Sequence, residues 1–398
     1  MQTMKMLLDI QGQGPAALAL RCMLMHEGWQ GPIRGSQALA ASSDTQRSLA
    51  LSVGSLQLIR ACTGSMPGGA DIRRVEVQVG TRFARRIGQG LVMDQEDLGL
   101  ERLGRVVSWS SLVNHLQAAY DLHCKGAALR LGDEASGLAQ DLPVWSIKVC
   151  ADGDPGETAL EDDAGQSALA GRVDVRCSAP GWALERFLPD GPLALLPDIQ
   201  AQAMQLVWCA EHSVTARRFA ALRQNGSSQH GENRLIRELN GSLPEGVEVL
   251  RFDNNMQNIR LKRRARPQIL RIDAAQREAS IWIGNAAQSL HPVAGQGLNL
   301  AFRDAAELAR CLVDLEYQAD APQHASRLID TLSGFEKQRQ RDRWLLMRIT
   351  DQLAKQSAGP WFQALAPQAL MLARQRHLRQ LMTRLFAFGP RDPWPIFG

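Results

Sequence analysis

The chain has 398 residues, of which 45% are hydrophobic and 22% charged, and its formal net charge is +4. This composition is typical of a globular protein, and the length predicts two domains or one domain with an extension. So small a net charge argues against a nucleic-acid partner. We expect a cytoplasmic protein, because no apolar run approaches the roughly 20 residues of a spanning helix and Asp9 interrupts any signal-peptide core.

The seven cysteines are scattered singly along the chain, and no two of them form a CxxC pair. An odd count without paired spacing predicts neither a metal site nor a disulfide framework. Reduced thiols in a cytosol fit this pattern best.

The first predicted unit is a strand at residues 4–10, a glycine turn, and a helix from Ala16 to Glu27 that Gly28 stops. The turn reads Gly12-x-Gly14-x-x-Ala17. In a dinucleotide-binding unit the two glycines let the backbone approach a pyrophosphate, and a small third residue allows close helix–strand packing. An ordinary glycine turn is the alternative, because residues 30–36 hold Arg34 where an acid for a ribose hydroxyl is expected.

Further predicted elements follow in order. Residues 72–84 indicate a strand pair, 110–121 a helix and 145–151 a strand. From about residue 170 to 270 the pattern changes to short alternating strands, which predicts a sheet domain inserted between cofactor-binding segments. These strands are expected at 172–177, 193–196, 204–209, 247–252 and 258–262. Residues 325–387 have a helical pattern, and the tail 390–398 is expected to be irregular.

The most informative segment is 281–299. It predicts a buried strand at 281–283, a glycine turn at Gly284, a polar loop ending at Pro292, and a second glycine turn that opens a helix. Backbone N–H groups of Gly295, Gly297 and Leu298 at the start of that helix can stabilise an anionic or electron-rich ligand.

The order of these residues resembles the second flavin-binding motif of the single-component aromatic hydroxylases, and most closely that of the ubiquinone-biosynthesis hydroxylase family. The family pattern is Gly-Asp-Ala-Ala-His, then His-Pro, then Gly-Gln-Gly-Leu-Asn. This chain matches it from Gly284 to Asn299, with Asn285 in place of the aspartate and Gln288 in place of the first histidine. The resemblance runs from Gly12 to about Phe388.

The resemblance implies a set of FAD contacts. Arg47, in the segment 44–52, takes the role of the family's cofactor-reaching arginine, and an exposed helix-start arginine is the alternative. Asp152 and Gly153 match a motif near the FAD pyrophosphate, although Asp154 and Glu157 add negative charge there and a plain turn is the alternative. The implied cofactor-binding residues are Gly12, Gly14, Ala17, Arg47, Asp152, Gly153, Gly284, Asn285, Gly295, Gln296, Gly297, Leu298 and Asn299. His291 and Pro292 are candidates for the flavin face, and a structural histidine is the alternative.

The implied fold class is α/β: a Rossmann-like FAD-binding domain of the para-hydroxybenzoate hydroxylase type, an inserted mixed β-sheet substrate domain, and a helical C-terminal region. The FAD-binding domain is predicted to be discontinuous. Its ranges would be 1–71, 95–165 and 270–325, with the substrate domain at 72–94 and 166–269 and the helical region at 326–398.

The implied function is FAD-dependent hydroxylation of the aromatic ring of a ubiquinone precursor through a flavin C4a-hydroperoxide. NAD(P)H is the expected electron donor, and the flavin needs no side-chain nucleophile and no metal. Two alternatives stay open. One is a hydroxylase of another small aromatic. The other is a degenerate homologue that binds FAD weakly or not at all and serves as an assembly partner in the quinone pathway, as the missing acid near Arg34, Asp154, Asn285 and Gln288 suggest.

Two basic regions remain. The run 262–266 is interpreted as a solvated strand end. Residues 348–391 hold seven Lys/Arg and one acidic residue beside several leucines. They predict either a helix packed on its own domain or an amphipathic surface for a quinone-pathway protein or the inner membrane. A prenylated aromatic substrate would suit the second reading.

Overall fold

The computed structural model describes residues 6–35, 47–80, 87–130, 145–177, 179–223, 228–289, 295–317, 324–356 and 359–389, which form a mixed α/β fold. The strands are β1 (Met6–Gln11), β2 (Ile33–Arg34), β3 (Ser48–Ser52), β4 (Ala70–Ile72), β5 (Arg74–Val79), β6 (Leu91–Asp94), β7 (Gly104–Ser108), β8 (Trp145–Cys150), β9 (Leu160–Cys177), β10 (Trp182–Leu188), β11 (Gly191–Pro197), β12 (Ala203–Glu211), β13 (Val247–Phe252), β14 (Gln257–Ala265), β15 (Leu270–Asp273), β16 (Glu278–Trp282) and β17 (Gln288–Ser289). The helices are α1 (Pro15–Glu27), α2 (Val53–Thr63), α3 (Trp109–Arg130), α4 (His212–Arg223), α5 (Ser228–Asn240), α6 (Gln296–Tyr317), α7 (His324–Gln356), α8 (Pro360–Ala373) and α9 (Arg376–Phe388).

A five-stranded sheet carries the first predicted unit. Its order is β15-β16-β8-β1-β2, and every pairing except β15–β16 is parallel. The prediction for α1 is confirmed: Pro15 stands at its first turn, and Gly28 ends it with a φ of 97°. Leucines of β1 and α1 join Phe302 and Leu308 of α6 in the main core, so α1 and α6 cover one face of this sheet.

A nine-stranded sheet forms the second layer. Its order is β17-β14-β9-β12-β11-β10-β5-β6, and β13 also pairs with β9. The strand β9 begins at Leu160, although the sequence predicted a strand only at 172–177. The additional residues begin with an acidic run, Glu161 to Asp163, and ion pairs to β14 stabilise that run as a strand. Lys262 contacts Glu161 at 2.5 Å and Arg263 contacts Asp162 at 3.0 Å, so acidic side chains neutralise the basic run 262–266.

The helices α4 and α5 were not predicted from the sequence. They cover the face of the large sheet that carries Trp208, where Leu235 and Leu239 of α5 complete a second core. The apolar residues of α4 do not recur with a clear helical period. Tertiary contacts fix it instead: the Arg218 guanidinium lies 3.6 Å from the Trp208 ring centroid and pairs with Glu238 of α5 at 2.6 Å.

The C-terminal helical pattern is found as α7, α8 and α9. The helix α7 packs against α6, α8 packs on β5, and α9 lies over β6 and α2. Within the described ranges, no helix is both long enough and apolar enough to cross a membrane. A three-stranded sheet, β3-β7-β4, lies between α2 and the large sheet and brings β3 to the start of α6.

Candidate functional site

A cavity of about 1260 Å³ separates the five-stranded sheet from the large sheet. Its walls come from the β1–α1 turn, β3, the start of α3, the end of β8, the start of α6, and strands β9, β11, β12 and β14. Pockets for one small molecule usually measure about 300–1,000 Å³. The cavity therefore has room for a large cofactor together with a second molecule.

One end of the cavity is built on the first glycine turn. Gly12 has a φ of 111°, and a Cβ there would lie 2.5 Å from the carbonyl oxygen of Ala151, so only glycine lets β1 end beside β8. Gly14 is the N-cap of α1 and supplies no side-chain cap. The first N–H groups of α1 are therefore open to an anionic ligand at the cavity wall. Ala17 is fully buried in the core behind them.

Two further predicted residues line this end. Arg47 is exposed at the cavity, and its guanidinium lies 5.6 Å from the Trp109 ring centroid. Asp152 and Gly153 follow β8 into the same space. Trp109 and Asp9, which also line the cavity, were not singled out from the sequence because neither belongs to a glycine motif.

The sequence predicted that Asp154 adds negative charge at this end of the cavity, and the structure corrects that prediction. Its carboxylate accepts hydrogen bonds from the backbone N–H of Gly156 at 3.0 Å and from Arg264 at 2.8 Å. These two bonds hold the pKa of Asp154 below its usual value. Asp154 is also absent from the described cavity wall, so it does not oppose an anion there.

The turn at Gly284 brings α1 and α6 together. A Cβ on Gly284 would lie 3.1 Å from the Ala301 Cβ and 3.2 Å from the Ala16 Cβ, so Gly284 sets the close approach of these helices. Asn285, next to it, is exposed and lines the cavity. Gln288 is buried in β17 and is not part of the described wall. The departure at Gln288 therefore does not alter a described contact surface of the cavity.

At the start of α6, Gly295, Gly297 and Leu298 line the cavity, and nothing lies within 4 Å of the position of a Gly297 Cβ. Gln296 and Asn299, which the resemblance gave as cofactor contacts, are buried and lie outside the described wall. Gln296 accepts a hydrogen bond from Arg303 at 3.2 Å. These two residues hold the turn in place behind the lining. His291 and Pro292 lie outside the described residues.

Asn299 uses all of its hydrogen-bonding capacity on protein. Its Oδ1 accepts from the Ser52 N–H and the Ser55 hydroxyl, each at 2.8 Å. Its Nδ2 donates to the carbonyls of Ala50 at 3.2 Å and Gly295 at 2.9 Å. Asn299 thus joins β3 to the glycine turn of α6, and Ala50 and Gly295 both face the cavity.

The other end of the cavity is an apolar wall with a charged rim. The wall consists of small and aliphatic side chains of the large sheet: Ala168, Ala170, Leu196, Val207, Ile259 and Leu261. On the rim, Arg172 pairs with Asp253 at 2.7 Å. Such a wall suits a flat apolar molecule whose polar groups point toward the rim.

Glu185 lies on β10, which pairs with the wall strand β11. In the sheet register it stands opposite Ala194, and Ala194 stands opposite the cavity residue Val207. It has no hydrogen-bond or ion-pair partner among the described residues, and desolvation raises the pKa of Glu185 to about 8. Burial raises the pKa of the neighbouring Cys209 thiol, and the Glu185 carboxylate raises it further.

This raised pKa predicts a pH-dependent stability. The folded-state pKa lies above the usual value of 4.5, so ionisation of Glu185 favours the unfolded state and the free energy of unfolding falls between about pH 4.5 and pH 8. We expect Glu185→Gln to reduce the difference in free energy of unfolding between about pH 5 and pH 9 by about 2 kcal/mol. Urea unfolding at both pH values measures this, with the exposed Glu157→Gln as control. Identical pH dependence in the two variants would contradict the assignment.

Solved structures identify the class of fold. The structure is similar to Klebsiella pneumoniae HpxO complexed with FAD and uric acid, with a TM-score of 0.60, 16% identity and coverage of 97% of each chain. It is also similar to pqsL, a probable FAD-dependent monooxygenase from Pseudomonas aeruginosa, with a TM-score of 0.63, 16% identity and coverage of 95% of this chain and 99% of that one. The fold is therefore that of the FAD-dependent monooxygenases, as the resemblance implied.

Sequence relatives indicate which monooxygenases this chain resembles. The chain is 32% identical over 194 residues to the ubiquinone hydroxylase UbiL of Rhodospirillum rubrum, which covers 48% of this chain and 40% of the relative. It is 29% identical over 196 residues to the human mitochondrial ubiquinone biosynthesis monooxygenase COQ6, covering 44% of this chain and 40% of the relative. No family model matches. The matches span less than half the length of these relatives, and they confirm the resemblance to the ubiquinone-biosynthesis hydroxylases.

Proposed function

We propose that this protein is an FAD-dependent monooxygenase that hydroxylates the aromatic ring of a ubiquinone-biosynthesis intermediate. The observation that carries the proposal is a continuous cavity, which joins two glycine turns at helix N-termini to an apolar wall on the large sheet. The names of the sequence relatives support the reaction class and the substrate class. In this proposal the discontinuous segments assigned above hold the cofactor and the large sheet holds the substrate.

The residues present fit FAD. The open N–H groups that follow Gly14 and the exposed Arg47 suit its pyrophosphate. The Gly297 amide region, where no side chain fills the space, suits the electron-rich edge of the isoalloxazine, and Asn285 offers an acceptor oxygen to the ribityl chain. When bound, FAD would supply the oxygen chemistry, and NAD(P)H is the proposed electron donor.

The residues of the chain would then orient the substrate. The apolar wall formed by Leu196, Val207 and Leu261 would exclude water from the ring, while the rim around Arg172 would receive its polar substituents. A prenylated ring would bring the protein to the inner membrane or to other proteins of the quinone pathway, and a cytoplasmic enzyme peripheral to that membrane is part of the proposal.

A second candidate function is a weakly FAD-binding homologue that acts as an assembly partner. The observation that favours it is the end of β2, where Arg34 is exposed and no carboxylate stands in the described residues of that strand. Against it, Asp9 lies opposite Arg34 in the β1–β2 register and lines the cavity. The neighbouring strand thus offers a carboxylate at this end of the site.

A flavin titration tests both candidates. We expect the purified protein to take up one FAD with absorbance near 450 nm. We expect Asn285→Asp to tighten binding about ten-fold, because a charged acceptor forms stronger hydrogen bonds than a neutral amide. Fluorescence quenching of added FAD gives the dissociation constants, with the distant Asn233→Asp as control.

The outcomes separate the candidates. Protein that takes up no FAD would overturn the hydroxylase and leave the assembly partner. An unchanged dissociation constant for Asn285→Asp would refute the role given to that residue. Oxygen consumption with simple phenols but not with prenylated phenols would favour a hydroxylase of another small aromatic.

A further inference from the structure

The helix α9 is attached to the rest of the protein through polar and apolar contacts. The Asp97 carboxylate accepts hydrogen bonds from Arg379 at 2.9 Å and from the Thr383 hydroxyl at 3.3 Å. The Asp97 carbonyl accepts another from the Gln380 amide at 3.2 Å. Thr383 and Ala387 are buried against the protein. The inward face of α9 therefore combines these polar groups with apolar ones, because Phe386 packs against the core that contains Val75 and Met93.

The outward face of α9 is apolar. Leu378, Leu381, Met382 and Leu385 are spaced by three and four residues and form one stripe along the helix. Their exposed fractions are 43%, 53%, 41% and 38%. A surface helix normally turns its apolar stripe toward the core and its polar face toward water. Here an apolar stripe faces outward although Phe386 and Ala387 already pack inward, which indicates that the stripe has a partner outside the described fold.

The adjacent helix α8 extends this surface. Its inner side packs Phe362, Ala366 and Leu370 against β5 and β10. Its other side exposes Leu365, Met371 and Leu372, with exposed fractions of 56%, 69% and 60%. Because α8 and α9 contact each other, their outward leucines and methionines lie on one helical pair.

The charge of this helical pair is entirely positive. Residues 359–389 contain four arginines and no aspartate or glutamate. Arg374 and Arg376 are exposed at the junction of the two helices. An apolar stripe flanked by arginines without any acid is the pattern of helices that lie in the plane of a membrane containing anionic lipids.

We propose that the outward face of α8 and α9 docks on the surface of an anionic phospholipid bilayer. The leucines and methionines would enter the boundary between headgroups and acyl chains, and Arg374 and Arg376 would contact lipid phosphates. This surface is separate from the cavity and needs no flavin. A failure of membrane docking would therefore leave the FAD titration unaffected.

Vesicle flotation with the full chain tests this proposal. We expect binding to vesicles of equal parts phosphatidylglycerol and phosphatidylcholine, little binding to phosphatidylcholine alone, and weaker binding at high salt. We expect Leu381→Glu to lower the partition coefficient at least about ten-fold, because a charge would replace a leucine that enters the bilayer. The matched control is Leu122→Glu, another exposed helical leucine, 73% exposed.

A second variant guards against misfolding of the first. The pair Arg374→Gln and Arg376→Gln leaves the stripe intact, and we expect it to reduce binding to the anionic vesicles only. Circular dichroism checks that each variant unfolds at the temperature of the parent. Equal binding of parent and Leu381→Glu, or equal binding to both vesicle types, would overturn the proposal. A soluble dimer that Leu381→Glu converts to monomer, without vesicle binding by the parent, would identify a second copy of the chain as the partner instead.

Discussion

Arg339→Ala is expected to lower the free energy of unfolding by about 4 kcal/mol, the largest effect we expect from a single substitution in this chain. The Arg339 side chain is 2% exposed and contacts three carboxylates. It lies 2.7 Å from Asp304, 2.9 Å from Glu307 and 2.7 Å from Asp342. Removing the guanidinium leaves these three acids buried without their shared counter-charge, which is costly.

The effect should extend to the cavity. Asp304 also accepts a hydrogen bond from the N–H of Gly284 at 3.2 Å. Gly284 directly precedes Asn285, which lines the cavity. The ion cluster thus connects α7, through α6, to the turn at Gly284. We expect the variant to bind FAD more weakly even under conditions where it stays folded.

Urea unfolding at neutral pH measures the change in stability. Arg341→Ala is the matched control, since Arg341 lies on the same helix and is exposed. Surface substitutions of this kind usually change stability by less than about 0.5 kcal/mol. If both variants lose the same stability, the cluster contributes no net stability and our account of it is wrong.

The features predicted correctly from the sequence are those fixed by neighbours in the chain. Pro15 and Gly28 indicate the two ends of α1 in the sequence, because capping preferences act within a few residues. The glycine turns at Gly12 and Gly295 are similar cases: each occupies a positive-φ conformation that most side chains disfavour.

The features that were missed depend on contacts between distant parts of the chain. The acidic start of β9 is stabilised as a strand by the ion pair between Glu161 and Lys262. The charge of Asp154 is compensated by Arg264, 110 residues away. Asp304 carried one local signal, because it lies with Glu307 on the buried side of α6 and a buried acid indicates a partner. Its partner Arg339 could be identified only from the packing of α7.

Asn299 shows how such a contact changes the meaning of a motif. The family motif presents it as a flavin contact, yet its amide connects residues 247 positions apart, from Ser52 to the start of α6. Leucine has a similar size but cannot replace any of the four hydrogen bonds. We expect Asn299→Leu to remove these hydrogen bonds from the buried N–H of Ser52 and from the partly buried carbonyls of Ala50 and Gly295, and to cost about 3 kcal/mol.

The same substitution should weaken FAD binding at least about ten-fold, because Ala50 and Gly295 face the cavity and would lose their common support. Asn258→Leu, at an exposed position on β14, is the control for the change of side chain. Urea unfolding and FAD fluorescence quenching report the two effects separately. Weaker FAD binding with unchanged stability would mean that Asn299 contacts the flavin itself, whereas a loss of both would establish it as the residue that positions the glycine turn.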